Sequence, residues 1–276
     1  MVLRSLFCLI ALTFLTLSAP LQAQDAFQRA SRLTELSTAD ATRGWEAVGR
    51  LDMGPGTFCT GALISPDLVL TAAHCLFDAD TGRRIPEERI EFLAGWRNGR
   101  AEAYRGVRRT AVHPDYDFGE PRNVARVARD LALVQLDRPI RSARIKPFAT
   151  SFELEKGAEV GIVSYAEHRS EAPSLQQVCH VLERFGGVVM LSCSVDFGSS
   201  GAPIFADVDG EPQIVSVVSS KAEAKGEPVA LAGELRPSIQ ELREALQDSP
   251  DNVMNRGNAL GTGRDDGRLG AKFVKP

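Results

Sequence analysis

The sequence of 276 residues carries no marked excess of charge of either sign. Lysine and arginine number 32 and aspartate and glutamate number 36, so the formal net charge is −4. Binding to nucleic acid or to an anionic membrane surface draws on a basic excess, so we expect neither partner. Hydrophobic residues make up 43% of the chain and charged residues 25%, proportions that are typical of a soluble globular protein.

Patterns that would hold a metal ion are also scarce in the sequence. Of its four histidines, three (His113, His168 and His180) show no mutual spacing of the kind that metal sites use. We interpret these three as structural or surface residues. No two cysteines stand in the close Cys-x-x-Cys spacing of structural zinc sites. We therefore expect neither a metal ion nor another cofactor.

A long hydrophobic run stands near the start of the chain. Arg4 precedes it, residues 6–17 are apolar except for two threonines, and small residues follow as far as Ala23. This order predicts a secretory signal over residues 1–23, and the run is too short for a stable membrane span. An uncleaved anchor is the alternative interpretation. We expect a secreted or periplasmic protein with no membrane attachment once the signal is removed.

Cysteine usage agrees with export. Of the five cysteines, Cys8 lies inside the predicted signal, which leaves Cys59, Cys75, Cys179 and Cys193. An even number of cysteines in an exported chain favours disulfides. Two short apolar runs and a proline-containing turn between Cys59 and Cys75 predict a hairpin that would bring these two together. The remaining pair would then be Cys179 with Cys193.

The rest of the chain is dominated by short apolar or alternating segments separated by turns rich in glycine and proline. This pattern predicts an all-β fold, either a barrel or a sandwich. One helix is predicted over residues 236–248, because Ser238 and Glu241 form a capping box at its start. Residues 24–44 are predicted to be an N-terminal arm or a short propeptide, and residues 249–276 a mostly disordered tail.

Three segments carry residue types that nucleophilic catalysis by serine requires. Residues 71–75 read Thr-Ala-Ala-His-Cys, in which small residues leave room around the imidazole of His74. Asp130 opens an Asp-Leu-Ala-Leu run that predicts a buried strand, and Ser200 lies in a Gly-Ser-Ser-Gly-Ala-Pro turn. A serine nucleophile needs a base, an acid that orients the base, and donors for the oxyanion.

These segments, in this order, resemble the trypsin-like serine peptidases. The resemblance implies two six-stranded antiparallel β-barrels, over residues 45–145 and 146–235, with the active site in the cleft between them. It implies catalytic roles for His74, Asp130 and Ser200. It also implies an oxyanion hole made by the backbone N–H groups of Gly198 and Ser200.

The sequence differs from the animal members of that family at the residues that form their activation switch. Animal relatives have an aspartate before the nucleophile, which accepts the charge of a newly cut Ile-Val-Gly-Gly-type terminus. Here that residue is Ser199, and the sequence contains no such segment. The Cys-Thr-Gly-x-Leu-Ile run at residues 59–64 and the small Ser199 resemble the bacterial glutamyl-endopeptidase branch.

The resemblance also assigns a substrate pocket. Ser194 would form its base, and Ser216 and Val218 would form one wall. A glutamyl-type pocket would favour a histidine just before Ser216, where this chain has Val215. We therefore expect a preference for a small or medium apolar residue before the scissile bond rather than an acidic one.

The leading hypothesis is a secreted serine endopeptidase that acts on protein or peptide substrates and that a protein inhibitor could block. One alternative is a catalytically silent homologue that binds proteins through the same cleft. Another is an esterase, but its nucleophile would usually lie in Gly-x-Ser-x-Gly on an α/β fold. The segment from Gly198 to Ala202 lacks the final glycine of that motif.

Overall fold

The computed structural model describes residues 32–249, with the exception of residues 153, 225 and 237. The predicted signal over residues 1–23 lies outside this range, as does all but the first residue of the predicted tail. Within the described range, no helix is long and apolar enough to span a membrane.

The described residues form a mostly β structure with few helices. Two helical turns of 3₁₀ type span Ala73–Leu76 and Glu87–Arg89, and the α-helices are α1 (Val124–Ala128) and α2 (Ser238–Asp248). The strands are β1 (Thr34–Glu35), β2 (Val48–Asp52), β3 (Phe58–Ser65), β4 (Leu68–Thr71), β5 (Glu91–Ala94), β6 (Ala103–Val112), β7 (Ala132–Leu136), β8 (Glu159–Ala166), β9 (Arg169–Phe185), β10 (Val188–Leu191), β11 (Pro203–Val208), β12 (Glu211–Ala224) and β13 (Glu227–Glu234).

Strands β2 to β7 close into a barrel in the order β2-β3-β4-β7-β6-β5. Strand β4 is buried along its whole length, as its uninterrupted apolar sequence predicts. It runs antiparallel to β7, with Leu70 opposite Leu133 and Thr71 opposite Ala132. The C-terminal end of β4 therefore lies beside the N-terminal end of β7. Residues just after β4 and just before β7 are brought together by this register.

The second sheet contains the remaining strands, in the order β1-β9-β10-β13-β12-β11-β8. An additional pairing of β8 with β9 brings its six main strands round into a near-barrel. The prediction of two six-stranded antiparallel barrels is thus confirmed, with β1 as an extra strand. That strand comes from the predicted N-terminal arm, where Thr34 pairs with Leu175 and Leu36 is buried.

The apolar core consists of two clusters of buried residues. The larger cluster fills the first barrel and extends into the second sheet through residues such as Val163, Tyr165 and Val217. At the junction the ring of Phe205 lies with its centroid 5.0 Å from that of Trp45 and 4.7 Å from that of Phe148. Burial of these large side chains fixes how the halves pack.

Helix α2 is amphipathic, as its sequence predicts. It begins at Ser238, and its buried positions include Ile239, Leu242 and Leu246 on one face. This face contributes to the larger core cluster, so the helix is held by burial of its apolar side rather than by propensity alone.

Both predicted disulfides are present. Cys59 and Cys75 have Cα atoms 6.2 Å apart, and Cys179 and Cys193 have Cα atoms 5.1 Å apart. The first bridge closes a loop with a sequence separation of 16, which stabilises the fold by roughly 3 kcal/mol in the chain-entropy description. It also joins β3 to the 3₁₀ turn that carries His74.

Candidate active site

The pairing of β4 with β7 brings His74 and Asp130 together. His74 lies on the 3₁₀ turn that follows β4, and Asp130 lies between α1 and β7. The Nδ1 atom of His74 is 2.7 Å from Asp130 Oδ2, and the backbone N–H of His74 donates to Asp130 Oδ1 over 2.8 Å. Both carboxylate oxygens therefore hold the same histidine, which fixes the orientation of its ring.

Asp130 is an interior carboxylate, with a side chain only 5% exposed, whereas the His74 side chain is 24% exposed. Burial by itself would raise the pKa of Asp130. The charge of His74 and hydrogen bonds from His74 and Ser219 outweigh burial, so the pKa of Asp130 lies below its ordinary value. The carboxylate is therefore ionised, and it favours the tautomer that carries a proton on Nδ1 and leaves Nε2 as the acceptor.

Ser219 is a third member of this network that sequence reasoning missed. Its buried hydroxyl donates to Asp130 Oδ2 over 2.5 Å. The pairing of β12 with β13 shifts register between Val218 and Ser220, and such a bulge turns a side chain away from the alternation of the strand. The period-two pattern of the sequence does not reveal the bulge, so nothing distinguishes Ser219 from its neighbours in the sequence.

The predicted nucleophile lies in a tight turn, residues 196–202, which we call the nucleophile turn. Gly198 and Gly201 adopt φ values of +90° and +76°, a region that L side chains rarely occupy. A Cβ at Gly201 would collide with the hydroxyl of Thr71 and the carbonyl of Thr60. The turn therefore needs glycine at this position to pack against β3 and the end of β4.

Thr60 holds this turn from the first barrel, and sequence reasoning missed this role too. Its backbone N–H donates to the carbonyl of Ser200 over 2.9 Å, and its hydroxyl donates to the carbonyl of Gly198 over 2.9 Å. The same hydroxyl accepts from the backbone N–H of Tyr165 over 3.0 Å. Since Thr60 is fully buried, both of these carbonyls have a fixed partner shielded from water.

The two peptide units that carry the predicted oxyanion donors are anchored through their carbonyl ends. The carbonyl of Phe197 accepts from Glu167 N over 2.8 Å, and that of Ser199 accepts from Ala202 N over 3.0 Å. In a trans peptide the N–H points opposite to the C=O, so these bonds fix the N–H groups of Gly198 and Ser200. Across residues 32–249, neither of those N–H groups donates a hydrogen bond.

Ser200 lies in the turn that contacts the segment before His74, but it is not hydrogen-bonded to His74 in the described structure. Its carbonyl is bound by Thr60, and the next residue, Gly201, packs against Ala72, two positions before His74. The nucleophile turn thus lies directly against the segment that carries the histidine. The Ser200 hydroxyl forms no hydrogen bond with any described residue, and Ser200 is partly exposed.

The predicted pocket residues differ in their surroundings. Ser194 is exposed, and its backbone N–H donates to Gln176 Oε1 over 2.8 Å. Ser216 is fully buried and donates to the carbonyl of Gly233 over 2.6 Å. Val218 packs in the core of the second sheet, while its carbonyl accepts from Gly201 N over 2.8 Å. The side chains of Ser216 and Val218 are thus both buried, and the pocket wall that they were predicted to form stays a prediction.

A cluster of potential metal ligands surrounds His74 but is already committed to other bonds. Ligand atoms of Cys59, His74 and Cys75 lie within 4.8 Å of one another. The two sulfur atoms form a disulfide, and the histidine is held by Asp130. Metal binding by cysteine requires the thiolate, so these three residues do not fit a metal site.

A closed barrel beside a near-barrel, with the His74–Asp130 pair at their junction, defines the chymotrypsin fold. A family profile described as "trypsin-like peptidase domain" matches residues 59–215, more than half of the chain. The chain belongs to this trypsin-like peptidase family.

Two curated relatives are proteins of much greater length. The "Suppressor of tumorigenicity 14 protein homolog" of Bos taurus is 31% identical over 160 residues, which is 53% of this chain and 17% of that protein. The "Modular serine protease" of Drosophila melanogaster is 33% identical over 125 residues, which is 43% of this chain and 18% of that protein. The aligned region thus spans less than one fifth of either relative.

A solved structure of a Glu endopeptidase in complex with MPD has the same fold. The two superpose with a TM-score of 0.64 over 78% of this chain and 96% of that one, at 16% sequence identity. At this identity the likeness establishes the architecture alone.

Proposed function

We propose that the protein is a serine endopeptidase in which Ser200 is the nucleophile, His74 the general base and Asp130 the orienting acid. The observation that carries the proposal is the hydrogen-bonded pair of His74 and Asp130 beside a turn whose two fixed N–H groups have no partner among the described residues. Hydroxyl nucleophiles need such a base, and oxyanions need such donors.

In the proposed reaction, substrate binding closes the gap between the Ser200 hydroxyl and His74 Nε2. Hydrogen bonds of this kind are often long until substrate is bound. Ser200 Oγ forms a bond to the scissile carbonyl carbon while His74 takes the hydroxyl proton. The N–H groups of Gly198 and Ser200 then stabilise the resulting oxyanion.

The second half of the reaction follows from the same groups. The C–N bond breaks as His74 returns its proton to the leaving amine, which leaves an acyl ester on Ser200. Water then attacks the ester, gives a proton to His74, and releases the acid as Ser200 regains its proton. Asp130 stabilises the imidazolium in both halves, and the hydroxyl of Ser219 helps to keep that carboxylate ionised and oriented.

Family membership implies protein substrates, and we propose that they are met outside the cytoplasm. The two disulfides are typical of oxidising compartments, and the predicted signal over residues 1–23 agrees with export. The preference for a small or medium apolar residue before the scissile bond remains part of the proposal. A peptide-library cleavage profile dominated by arginine, lysine or glutamate would contradict it.

Labelling with a fluorophosphonate probe tests the proposal. The folded protein without residues 1–23 is expected to label at a single serine, and Ser200→Ala is expected to abolish labelling while circular dichroism stays unchanged. Labelling that persists in Ser200→Ala would show that another serine is the nucleophile. A folded wild-type protein that neither labels nor cleaves a peptide library would favour the silent, protein-binding alternative.

A further inference from the structure

Directly before the predicted nucleophile lies a serine whose hydroxyl has all its hydrogen bonds filled. Ser199 is fully buried. Its Oγ accepts from Arg169 Nη2 over 3.2 Å and from Asp196 N over 3.3 Å, and its one proton can be donated to the carbonyl of Tyr165 at 3.2 Å or to Ser164 Oγ at 3.4 Å. A hydroxyl has one proton to donate and two lone pairs, so two accepted bonds and one donated bond use its whole capacity. Any shift of Ser199 would leave buried polar groups unpaired.

Arg169 reaches this hydroxyl from the first residue of β9. Its Nη1 donates to the carbonyl of Ser164 over 2.8 Å, and its Nη2 donates to Ser164 Oγ over 3.1 Å as well as to Ser199 Oγ. Ser164 lies in β8 and is fully buried. The planar guanidinium thus bridges a rigid strand and the nucleophile turn in a fixed geometry, which the flexible ammonium of a lysine reproduces less well.

The same hairpin holds the turn at a second point. Glu167, between β8 and β9, donates its backbone N–H to the carbonyl of Phe197 over 2.8 Å. That carbonyl belongs to the peptide unit that carries the N–H of Gly198. The hairpin is therefore attached on both sides of Gly198, through Phe197 and through Ser199.

The position of Arg169 is not explained by an ion pair. In the described part of the chain no carboxylate oxygen lies within 4.0 Å of its guanidinium, and its bonds go to neutral acceptors. Burial lowers the pKa of Arg169, and the more distant charge of Asp196 opposes this effect. Burying a cation costs free energy, and the segment that Arg169 contacts in return is the nucleophile turn.

We propose that Arg169 is a positioning residue that holds Ser199, and through it the nucleophile turn, in the conformation that presents the N–H groups of Gly198 and Ser200. The inference rests on the proposed function of that turn. It assigns Arg169 no contact with substrate. Its effect should therefore appear in the rate of the chemical step rather than in substrate affinity.

Arg169→Met and Arg169→Lys, compared with Arg84→Met as a control, test this role. Arg84 is a solvent-exposed arginine of the first barrel that donates to Thr110 Oγ1 over 2.6 Å, so the control loses a hydrogen-bonded guanidinium away from the site. Arg169→Met is expected to lower kcat on a peptide substrate by about tenfold to a hundredfold. This loss is smaller than the factor of about 10²–10³ that removal of one oxyanion donor costs, because the variant keeps both donors and loses only a group that positions them. KM should change less than about threefold, Arg169→Lys should recover part of the loss, and Arg84→Met should leave kcat unchanged.

A second measurement does not depend on activity. Hydrogen exchange at the amides of Ser199 and Gly201, which are bonded to Asp196 and Val218, should speed up in Arg169→Met and remain unchanged in Arg84→Met. If Arg169→Met does not fold, Ser199→Ala takes its place with the same expectations. In the double variant that combines Arg169→Met with Ser199→Ala, the factor by which kcat falls should be smaller than the product of the factors for the two single variants.

The outcomes separate the two proposals. An active wild type with an unchanged kcat and unchanged exchange in Arg169→Met would overturn the role of Arg169 and leave the peptidase proposal intact. An inactive wild type whose exchange still rises in Arg169→Met would support the positioning role and reject catalysis. A loss in Arg169→Met that appears in KM alone would assign Arg169 to substrate binding and overturn the inference.

Discussion

The two halves of the molecule hold the proposed site residues in different ways. On the first-barrel side, His74 and Asp130 lie just beyond the ends of two paired strands, and their register brings them together. On the second-sheet side, Ser200 lies in a turn whose backbone is held by groups from elsewhere, including Thr60 and the β8–β9 hairpin. The proposed base and acid depend mainly on the backbone pairing of two adjacent strands of one barrel, whereas the nucleophile turn depends on polar contacts with several separate segments.

This difference shows where single substitutions should act. A change at His74 or Asp130 removes a chemical group and should leave the backbone intact. A change among the contacts of the nucleophile turn should alter backbone geometry and rate together, because an oxyanion hole is made of backbone N–H groups.

The largest expected effect is from Asp130→Asn. The amide would offer an N–H to Nδ1, which favours the wrong histidine tautomer, and turnover should fall by about ten-thousand-fold with little change in fold. Steady-state kinetics and thermal unfolding measure the two quantities. Asp137→Asn, in the partly buried bend after β7, serves as the control, and near-normal turnover in Asp130→Asn would show that another residue is the acid.

Thr60→Val tests the nucleophile-turn side. Valine keeps the shape of threonine but leaves the Gly198 carbonyl and the Tyr165 N–H without their partner, at a cost of about 1–3 kcal/mol each. Both the free energy of unfolding and kcat should fall, kcat by about tenfold or more. Thr60→Ser keeps the hydroxyl and should stay close to wild type. If Thr60→Val lowered stability but left kcat unchanged, the hydroxyl would hold the halves together without shaping the turn.

Ser219→Ala should have a smaller effect, because Asp130 keeps its two bonds from His74. Loss of a hydrogen bond to a charged group costs about 1.5–3 kcal/mol, so we expect turnover to fall by about tenfold. The pKa of Asp130 should rise toward its ordinary value. A carboxyl with a lowered pKa stabilises the fold above its unfolded pKa and loses that contribution as pH falls, so acid unfolding of Ser219→Ala should begin at a higher pH. Ser220→Ala is the matched control.

His113→Gln concerns stability alone and should have the smallest effect. The ring of His113 is buried, with Nε2 3.0 Å from Glu241 Oε2 and Nδ1 accepting from Asp115 N over 3.2 Å. Burial lowers the pKa of His113 below 6.5 and Arg129 acts in the same direction, against the opposing charges of Glu241 and Asp115. The unfolded chain therefore binds more protons as pH falls through 6.5, and the free energy of unfolding should fall with it. Urea unfolding between pH 7.5 and 5.5 should show a weaker pH dependence in His113→Gln, and an equal dependence would place the titrating group elsewhere.

Ser199 connects this comparison to the departure seen in the sequence. The resemblance implies an acid at this position in animal relatives, where it accepts the charge of a newly cut N-terminus. In this structure the hydroxyl of Ser199 is instead hydrogen-bonded to Arg169. A cationic group of the chain itself thus lies beneath the nucleophile turn. The sequence does not reveal this contact, because Arg169 is 30 positions away and no motif around it distinguishes it from the other arginines of the chain.

Much of the architecture could be predicted because its signals are local. The apolar run of β4, the alternation of other strands and the capping box of α2 follow from contacts within a few residues. The disulfide pairing also followed from a hairpin between Cys59 and Cys75. The arm over residues 24–44 gave no such signal, and its strand β1 is recognised only through its pairing with the distant strand β9.

The amino-acid sequence by itself determined the β architecture, the disulfides and the segments that hold His74, Asp130 and Ser200, because each depends on short-range pattern and residue chemistry. Tertiary structure alone decided which groups surround them. Thr60, Arg169 and Ser219 enter the site through a bulge or through hydrogen bonds between distant strands. Such contacts depend on which distant segments the fold brings together. The residues next to one side chain in the sequence do not indicate which segments these are.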